Sequence, residues 1–247
     1  MNDLIEPRIS YLDWDSGFFK IRCGKAQLTP AVTEQELESL FSGLGEFDFV
    51  TIQNIGNDVS VNRAVAERTK AYLVDVNIQL EKNISNISIG VCPDSVIVPA
   101  SELREQLLGQ LTVEESDFCF SKFVLDPEMK KRNAYRVYEQ WLGNAPKFAN
   151  KYFALRMDGS KVAAYILFSI LEEVATLELV KVDSSYRGQH LAADVISSVE
   201  SFAAGRGCSL ARVGTQLNNI PAINLYHNQK YKEISRTAIF HYWRDRA

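Results

Sequence analysis

The chain has few of the residues that cross-link small folds or bind metals. Its 247 residues include four cysteines and three histidines. The cysteines, Cys23, Cys92, Cys119 and Cys208, are isolated and have no C-x-x-C spacing. A disulfide framework or a zinc site therefore has no support, and we interpret them as buried thiols of a protein from a reducing compartment. The histidines show no paired spacing, so the sequence predicts no metal site.

The sequence also lacks a membrane-spanning apolar run and an excess of basic residues. No segment approaches the roughly 20 apolar residues that a spanning helix needs. The first residues, MNDLIEPRISYLDWDS, have neither a basic start nor an apolar stretch, which argues against a signal peptide. The formal net charge is −4, whereas a dedicated binder of nucleic acid or anionic membrane would be basic. We therefore expect a cytoplasmic protein that binds neither nucleic acid nor membrane.

What the chain does contain is an ordinary globular composition, with 46% hydrophobic and 23% charged residues. From residue 116 onward the pattern predicts helix, three strands, helix, strand, helix and strand. This order is typical of an α/β fold with a mixed sheet and helices on both faces. Residues 1–115 show a weaker mixed pattern, with a strand over 9–14 and a helix over 101–111. A further helix is predicted over 129–143, and no repeat is visible at the residue level.

The segment from residue 177 to 204 predicts a strand, a polar turn and a helix. The strand ends at Val182, Gly188 lies in the turn, and apolar residues recur at helical spacing from Leu191 to Ala203. The first N–H groups of a helix have no internal partner and favour an anion. Glycine in the turn lets the backbone approach a ligand closely. The alternative is a surface turn that precedes a packing helix.

This turn resembles the pyrophosphate loop of GNAT acetyltransferases, R/Q-x-x-G-x-G/A, which binds acyl-CoA. Here the frame is Arg187-x-x-His190-x-Ala192, with histidine in place of the central glycine. The match places the loop at a strand-helix junction, as the family does.

A second motif follows the next predicted strand. Asn219, Ala222 and Tyr226 have the N-x-x-A-x-x-x-Y spacing of the same family. The family usually continues with Gly-Phe, where this chain has Lys230-Tyr231. Together the two motifs resemble the GNAT family over residues 116–247, which we assign to a GNAT domain. The resemblance implies the GNAT acyl-CoA N-acyltransferase fold, with residues 1–115 as a smaller N-terminal α/β region.

The resemblance implies acetyl-CoA as co-substrate, without a metal. In the family it lies where two parallel strands splay apart, here residues 177–182 and 210–216. A backbone N–H near Val180 or Val182 would polarise the thioester carbonyl. Asn219 would bind the pantetheine arm, or cap its own helix, or both. The implied cofactor-binding residues are Val180, Val182, Arg187, Gly188, Gln189, His190, Leu191, Ala192, Thr215, Asn219 and Ala222.

Two residues are predicted to move protons. Tyr226 is the proposed general acid toward the leaving thiolate, because a phenol with a pKa of about 10 is protonated at neutral pH. The alternative for Tyr226 is packing against the sheet. Glu178 is the hypothetical base for the acceptor ammonium, directly or through water. Alternation predicts that Glu178 shares a face with Val180 and Val182, where an exposed or a salt-bridged carboxylate is the alternative.

Several further segments resemble the dTDP-fucosamine acetyltransferase branch, whose members acetylate an amino sugar on a nucleotide carrier. They are L-x-W-x-x-x-F-F at residues 12–19, Ser121-x-Phe123 and Tyr138-x-Gln140-Trp141. The likeness implies a nucleotide-linked acceptor of the dTDP-4-amino-4,6-dideoxyhexose type, used for surface polysaccharide or glycan biosynthesis. Residues 1–115 would contribute to acceptor binding. The implied substrate-binding residues are Trp14, Phe18, Phe19, Phe123, Tyr138 and Trp141, with Lys122 and Arg136 as candidate phosphate contacts.

Two other functions stay open at this point. One is a GNAT enzyme that acetylates another amine, such as a protein N-terminus or an antibiotic. The second is a non-catalytic GNAT-like binding module, because the loop glycine and the later Gly-Phe are both replaced. A homodimer is a further hypothesis.

Overall fold

The computed structural model describes residues 9–87 and 95–245, and their strands form one mixed sheet. In chain order the strands are β1 (Ser10–Tyr11), β2 (Cys23–Leu28), β3 (Phe49–Ile55), β4 (Tyr72–Asn83), β5 (Ser95–Pro99), β6 (Lys151–Asp158), β7 (Lys161–Leu171), β8 (Val174–Val182), β9 (Leu210–Gln216) and β10 (Lys232–Trp243). Across the sheet the order is β1-β2-β3-β10-β4-β9-β8-β7-β6-β5.

The helices connect these strands and differ widely in length. They are α1 (Asp13–Phe19), α2 (Glu34–Gly43), α3 (Val59–Arg68), α4 (Glu105–Leu108), α5 (Lys122–Leu125), α6 (Pro127–Lys131), α7 (Val137–Asn144), α8 (Leu191–Gly205) and α9 (Ile220–Asn228). Short 3-10 turns include Glu115–Phe118 and Ser184–Tyr186. Within the described ranges no helix is long and apolar enough to cross a membrane.

The chain repeats one order of elements, strand-helix-strand-helix-strand, from β2 to β4 and again from β8 to β10. Each copy opens with a parallel pair, β2 with β3 and β8 with β9. The last strand of each copy crosses to the other, because β10 pairs with β3 and β4 pairs with β9. The exchange joins both halves of the chain in one sheet. The division into residues 1–115 and 116–247 stays a prediction.

Helices cover both faces of the sheet, as the α/β pattern predicts. The core under α8 and α9 includes Ile78 of β4, and the core under α2 and α3 includes Ala238 of β10. Ala238 is paired with Val76, two residues from Ile78, so both cores lie on one face. Two further cores include α6 and α7 residues such as Met129 and Leu142.

Three predicted elements differ from the structure. The strand expected over residues 9–14 ends at Tyr11, and Trp14 lies in α1. The helix expected over 101–111 shortens to α4. The helix expected over 129–143 is interrupted at Asn133, which has a φ of +52°. A residue in the left-handed region ends an α-helix, so α6 and α7 are separate.

A buried carboxylate joins the last strand to the helical layer. Asp126 is fully buried, and its Oδ2 accepts hydrogen bonds from His241 Nδ1 at 2.5 Å and from Trp243 Nε1 at 2.9 Å. Its Oδ1 accepts the backbone N–H groups of Glu128 and Met129 and so caps α6. Burial raises the pKa of Asp126, but the hydrogen bonds outweigh it and lower the pKa to about 2. Burial lowers the pKa of His241 to about 4, so the imidazole is neutral at pH 7.

Replacing Asp126 with Asn is expected to destabilise the protein by about 3 kcal/mol. Donors already face both carboxylate oxygens, so the amide nitrogen of Asn meets a donor in either orientation. The measurement is the free energy of unfolding in denaturant. Glu139→Gln, which disrupts the exposed Arg136–Glu139 pair, serves as the control and should cost less than about 1 kcal/mol. Equal costs for the two variants would contradict the role given to Asp126.

Candidate active site

The parallel strands β8 and β9 separate near the middle of the sheet. They pair from Val174 to Leu177 with Leu210 to Val213 and then stop, although each strand continues. The opening between them belongs to a cavity of about 660 Å³. The strand separation that the family resemblance implies is therefore present at the expected strands.

A β-bulge at Glu178 marks the point where the strands separate. Leu177 and Leu179 pair with adjacent residues of β7, so Glu178 between them is an extra residue. Leu177 packs under α8, together with Val180 and Val182, whereas Leu179 packs in the core on the opposite face. The bulge interrupts strict alternation. The prediction that Glu178 shares a face with Val180 and Val182 is therefore wrong.

Glu178 forms an ion pair with Lys151 on the face of the sheet that points away from α8. Its Oε2 lies 2.6 Å from Lys151 Nζ, and both side chains are 20% exposed. The alternative of a salt-bridged carboxylate is thus the observed state. Because both groups stay in contact with solvent, a proton on Glu178 has a path to water.

The backbone of β8 presents polar groups to the opening. Asp183 donates its N–H to the carbonyl of Ala163 on β7 at 2.9 Å. In a strand, the backbone groups of every second residue face the same edge. The N–H and C=O groups of Lys181 therefore also face β7. The N–H and C=O groups of Val180 and Val182 face the other edge, where β9 has moved away. These N–H groups are the ones that the resemblance assigns to the thioester carbonyl.

The loop between β8 and α8 forms a second, smaller hollow of about 240 Å³, lined by Val182, Tyr186, Arg187, Gly188, His190, Leu191 and Ala192. No side chain caps α8. Among the described residues, none accepts the N–H groups of Leu191 and Ala192, whereas the next two N–H groups bond to His190 O. Free N–H groups at the start of a 15-residue helix fit a phosphate group.

His190 has a left-handed backbone, with φ +60° and ψ +10°. Gly188 is also left-handed, with φ +77°. A glycine at position 190 would adopt this conformation without a Cβ penalty, which gives a physical reason for the glycine of the family motif. The His190 side chain is exposed and lies at the wall of the hollow. The loop therefore keeps its shape with histidine, at the expense of backbone strain.

Arg187 is held at the edge of the cavity by an acidic partner. Its Nη2 lies 3.1 Å from Asp117 Oδ1, and Lys181 Nζ lies 2.6 Å from Asp117 Oδ2. Asp117 is almost fully buried, whereas Arg187 is 55% exposed. Two cations share this carboxylate, and the half-exposed guanidinium of Arg187 faces the loop. This charge favours the phosphates of a CoA molecule.

The second motif lines the same cavity from α9. Tyr226 is buried, and burial raises the pKa of its phenol, which therefore stays protonated at neutral pH. Asn219 Oδ1 accepts the backbone N–H of Ala222 at 3.3 Å, so its helix-capping role is present. Thr215, Asn219 and Ala222 line the cavity with Tyr226.

The six predicted substrate-binding aromatics form one continuous chain of ring contacts. The centroid distances along it are 5.1, 5.0, 6.4, 6.0 and 5.3 Å, in the order Trp14, Phe18, Phe19, Phe123, Tyr138 and Trp141. Phe18, Phe19 and Phe123 belong to one hydrophobic cluster. Tyr138 lines the main cavity and donates to Ser121 Oγ at 2.7 Å.

The ends of this aromatic chain face a groove next to the main cavity. The groove has a volume of about 610 Å³ and is lined by Trp14, Trp141, Asn144, Lys147, Phe148, Lys151 and Glu178. Trp14 is 44% and Trp141 is 40% exposed. Trp141 and Glu178 also line the main cavity. The groove thus adjoins the main cavity at the bulge of β8.

Some predicted residues line none of the three spaces, which are the loop hollow, the main cavity and the groove. Gln189 is exposed in the loop but lines none of them. Arg136 pairs with Glu139 at 3.0 Å, and Lys122 packs over the ring of Phe123. Burial lowers the pKa of Lys122. Neither predicted phosphate contact lines the groove.

Sequence reasoning missed Lys147 and Lys151, which line the groove, and Asn77 and Gln79, which line the cavity. Two lysines close after the Tyr-Gln-Trp segment were the available signal for the first pair. The second pair depends on the strand exchange and had no local signal. Cys119 was also interpreted wrongly as buried; it is exposed at the cavity, whereas Cys23 and Cys208 are buried and Cys92 lies outside the described residues.

Comparison with known proteins gives one family and one named relative. The model of the acetyltransferase (GNAT) family matches residues 112–231. The spore coat polysaccharide biosynthesis protein SpsD of Bacillus subtilis (strain 168) is 18% identical over 250 residues. That match covers 98% of this chain and 86% of SpsD.

Solved structures show the same fold. A GCN5-related N-acetyltransferase from Sphaerobacter thermophilus superposes with a TM-score of 0.54 at 15% identity, over 79% of this chain and 60% of that one. The chain thus spans less than two thirds of that protein's length. A functionally unknown conserved protein from Staphylococcus epidermidis ATCC 12228 gives 0.62 at 8% identity, over 90% of this chain and 84% of the other. The predicted GNAT fold class is confirmed.

Replacing His190 with Gly is expected to yield a protein about 1 kcal/mol more stable than the His190→Ala variant. Both variants remove the imidazole, but only glycine relieves the left-handed backbone. The measurement is again the free energy of unfolding of the two variants. Equal stability of the Gly and Ala variants would contradict the strain assigned to this position.

Proposed function

We propose that the chain, whose residues 112–231 match the acetyltransferase (GNAT) family model, is an acyl-CoA-dependent N-acetyltransferase that acetylates the amine of a nucleotide-linked aminodeoxy sugar. One observation carries the proposal. The groove with tryptophan and lysine walls shares Glu178 and Trp141 with the cavity that contains both family motifs. An acceptor bound in the groove can therefore present its amine at the opening between β8 and β9.

The cavity offers a set of contacts that suits acetyl-CoA. The loop from Arg187 to Ala192 supplies free N–H groups and a cation for the pyrophosphate. The unpaired edge of β8 offers backbone partners to the amides of the pantetheine arm, because an extended chain pairs with an exposed strand edge. Bound there, acetyl-CoA supplies the acetyl thioester.

The backbone N–H of Val180 or Val182 is proposed to stabilise the oxyanion of the reaction. The acceptor nitrogen attacks the carbonyl carbon, the new C–N bond forms, and the C–S bond then breaks. Negative charge develops first on the carbonyl oxygen. A fixed N–H donor directed at this oxygen lowers the barrier without reorganisation.

Two side chains are proposed to complete the proton balance. Tyr226 protonates the leaving sulfur, for which its raised pKa keeps the proton available. Glu178 takes a proton from the acceptor ammonium, directly or through water, and passes it to solvent. Lys151 keeps Glu178 in place beside the groove. The proton that the nitrogen still carries after attack returns to the Tyr226 phenolate, directly or through water, as the amide forms. The sum is an amide, a free thiol and one proton released.

The groove is suited to a nucleotide rather than a bare sugar. Trp14 and Trp141 offer stacking faces for a base, and Lys147 is an exposed cation for the phosphates. Lys147 Nζ bonds to Asn144 Oδ1 at 2.7 Å, which holds it at the groove. Trp14 comes from α1, so the N-terminal region contributes to acceptor binding in this proposal. The name of SpsD, a spore coat polysaccharide biosynthesis protein, supports a role in polysaccharide biosynthesis.

Replacing Tyr226 with Phe is expected to lower kcat by about 10²-fold or more while acetyl-CoA still binds. The hydroxyl is lost but the ring still fills its buried position. Turnover is measured by thiol release. Binding is measured by protection of the exposed Cys119 from alkylation, with Cys119→Ser as the labelling control. Unchanged turnover would remove Tyr226 from the mechanism.

The acceptor class is tested with a panel of amines that includes a dTDP-linked 4-amino-4,6-dideoxyhexose, the free amino sugar, a peptide N-terminus and an aminoglycoside. Lys147→Met is expected to raise KM for the nucleotide sugar about tenfold, because a charge-assisted phosphate contact is lost. The free sugar should be unaffected. Lys161→Met, at an exposed hairpin, is the control. Preference for a peptide or antibiotic amine would overturn the proposed acceptor.

A further inference from the structure

The strand exchange brings two amide side chains of the N-terminal half into the cavity. Asn77 and Gln79 lie on β4, and in the ladder with β9 they pair with Gln216 and Gly214. Gly214 directly follows the last β9 residue that pairs with β8. Gln79 therefore lies beside the mouth of the opening, where the acetyl group is expected.

A chain of hydrogen bonds determines how these amides are oriented. Asn77 Nδ2 donates to the backbone carbonyl of Thr215 at 3.2 Å, and Gln79 Nε2 donates to Asn77 Oδ1 at 2.6 Å. A backbone carbonyl can only accept, so Asn77 must present its nitrogen to Thr215 and its oxygen to Gln79. Gln79 must then direct its nitrogen to Asn77. Its oxygen Oε1 is left over, and no described residue donates to it.

The neighbouring glycine keeps room for this arrangement. A Cβ at position 214 would lie 2.5 Å from Gln79 Nε2, closer than real contacts allow. The amide of Gln79 thus lies against the backbone of β9, at the floor of the cavity. Gln79 points away from the core under α8, because its neighbour Ile78 lies in that core. Lys151, the ion-pair partner of Glu178, also points away from it, because Tyr152 lies there. Gln79 and Glu178 therefore lie on the same face of the sheet, on opposite sides of the opening. An acceptor amine at the opening would lie between Glu178 and Gln79.

We propose that Gln79, oriented by Asn77, is a specificity-determining residue whose Oε1 accepts a hydrogen bond from the acceptor sugar hydroxyl next to the reacting amine. This inference rests on the proposed function, since it assumes an amino sugar acceptor. Gln79 binds the sugar, and Asn77 is a positioning residue that acts through Gln79. Neither residue takes part in the proton transfers.

The test compares two nucleotide amino sugars that differ only in this hydroxyl. The wild type is expected to prefer the hydroxylated acceptor by about 10- to 100-fold in kcat/KM. Gln79→Leu should lose this preference by weakening turnover of the hydroxylated acceptor alone. Asn77→Ala should give a smaller loss, and the double variant should lose no more than Gln79→Leu, because both act on one contact.

The readouts separate a binding role from a structural one. KM for acetyl-CoA and its protection of Cys119 from alkylation should be unchanged in the Gln79 variant. Gln53→Leu, which removes an exposed amide pair with Gln27 elsewhere in the sheet, is the matched control. Equal losses for the two acceptors would overturn the inference alone. No turnover of either sugar by the wild type would overturn the proposed function and the inference with it.

Discussion

The site depends on a sheet that stops pairing in its middle. Backbone N–H and C=O groups are rarely left without partners inside a protein, yet β8 and β9 part after four residue pairs, from Val174–Leu210 to Leu177–Val213. The bulge at Glu178 accommodates this break, because it adds a residue on β8 while β7 stays paired. The unpaired edge then becomes a place where an extended ligand can complete the sheet. The N–H and C=O groups that the sheet leaves unpaired on β8 are thus the groups proposed to bind the ligand.

The first copy of the repeated elements shows what happens without the break. There β2 and β3 stay paired over all of Cys23–Leu28. The start of α2 differs as well, because Thr33 and Glu36 form a capping box that places the Glu36 carboxylate, an anion of the chain itself, at this helix start. In the N-terminal half, β2 and β3 therefore stay paired, and β4 of the same half pairs with β9 of the C-terminal half. Strand β4 supplies Asn77 and Gln79 to the cavity.

The sequence predicted the second half of the fold and its motifs well, because these are local. The loop around Arg187 and the helix that carries Tyr226 lie where the spacing placed them. The bulge at Glu178 was missed because β8 carries apolar residues on both faces, as Leu177 and Leu179 show, so the change of phase is not visible in the sequence. The strand exchange was missed because β4 and β9 are far apart in sequence and pair only in the folded sheet. The roles of Phe18, Phe19 and Phe123 could not be separated from those of Trp14 and Trp141, since burial depends on the whole chain.

The most direct test is a crystal structure of the protein with CoA and a dTDP-linked 4-amino-4,6-dideoxyhexose. The pantetheine arm is expected along the unpaired edge of β8, the pyrophosphate at the loop from Arg187 to Ala192, and the nucleotide in the groove between Trp14 and Trp141. The β2–β3 pair should remain closed. CoA bound elsewhere, or a sugar nucleotide outside this groove, would contradict the account.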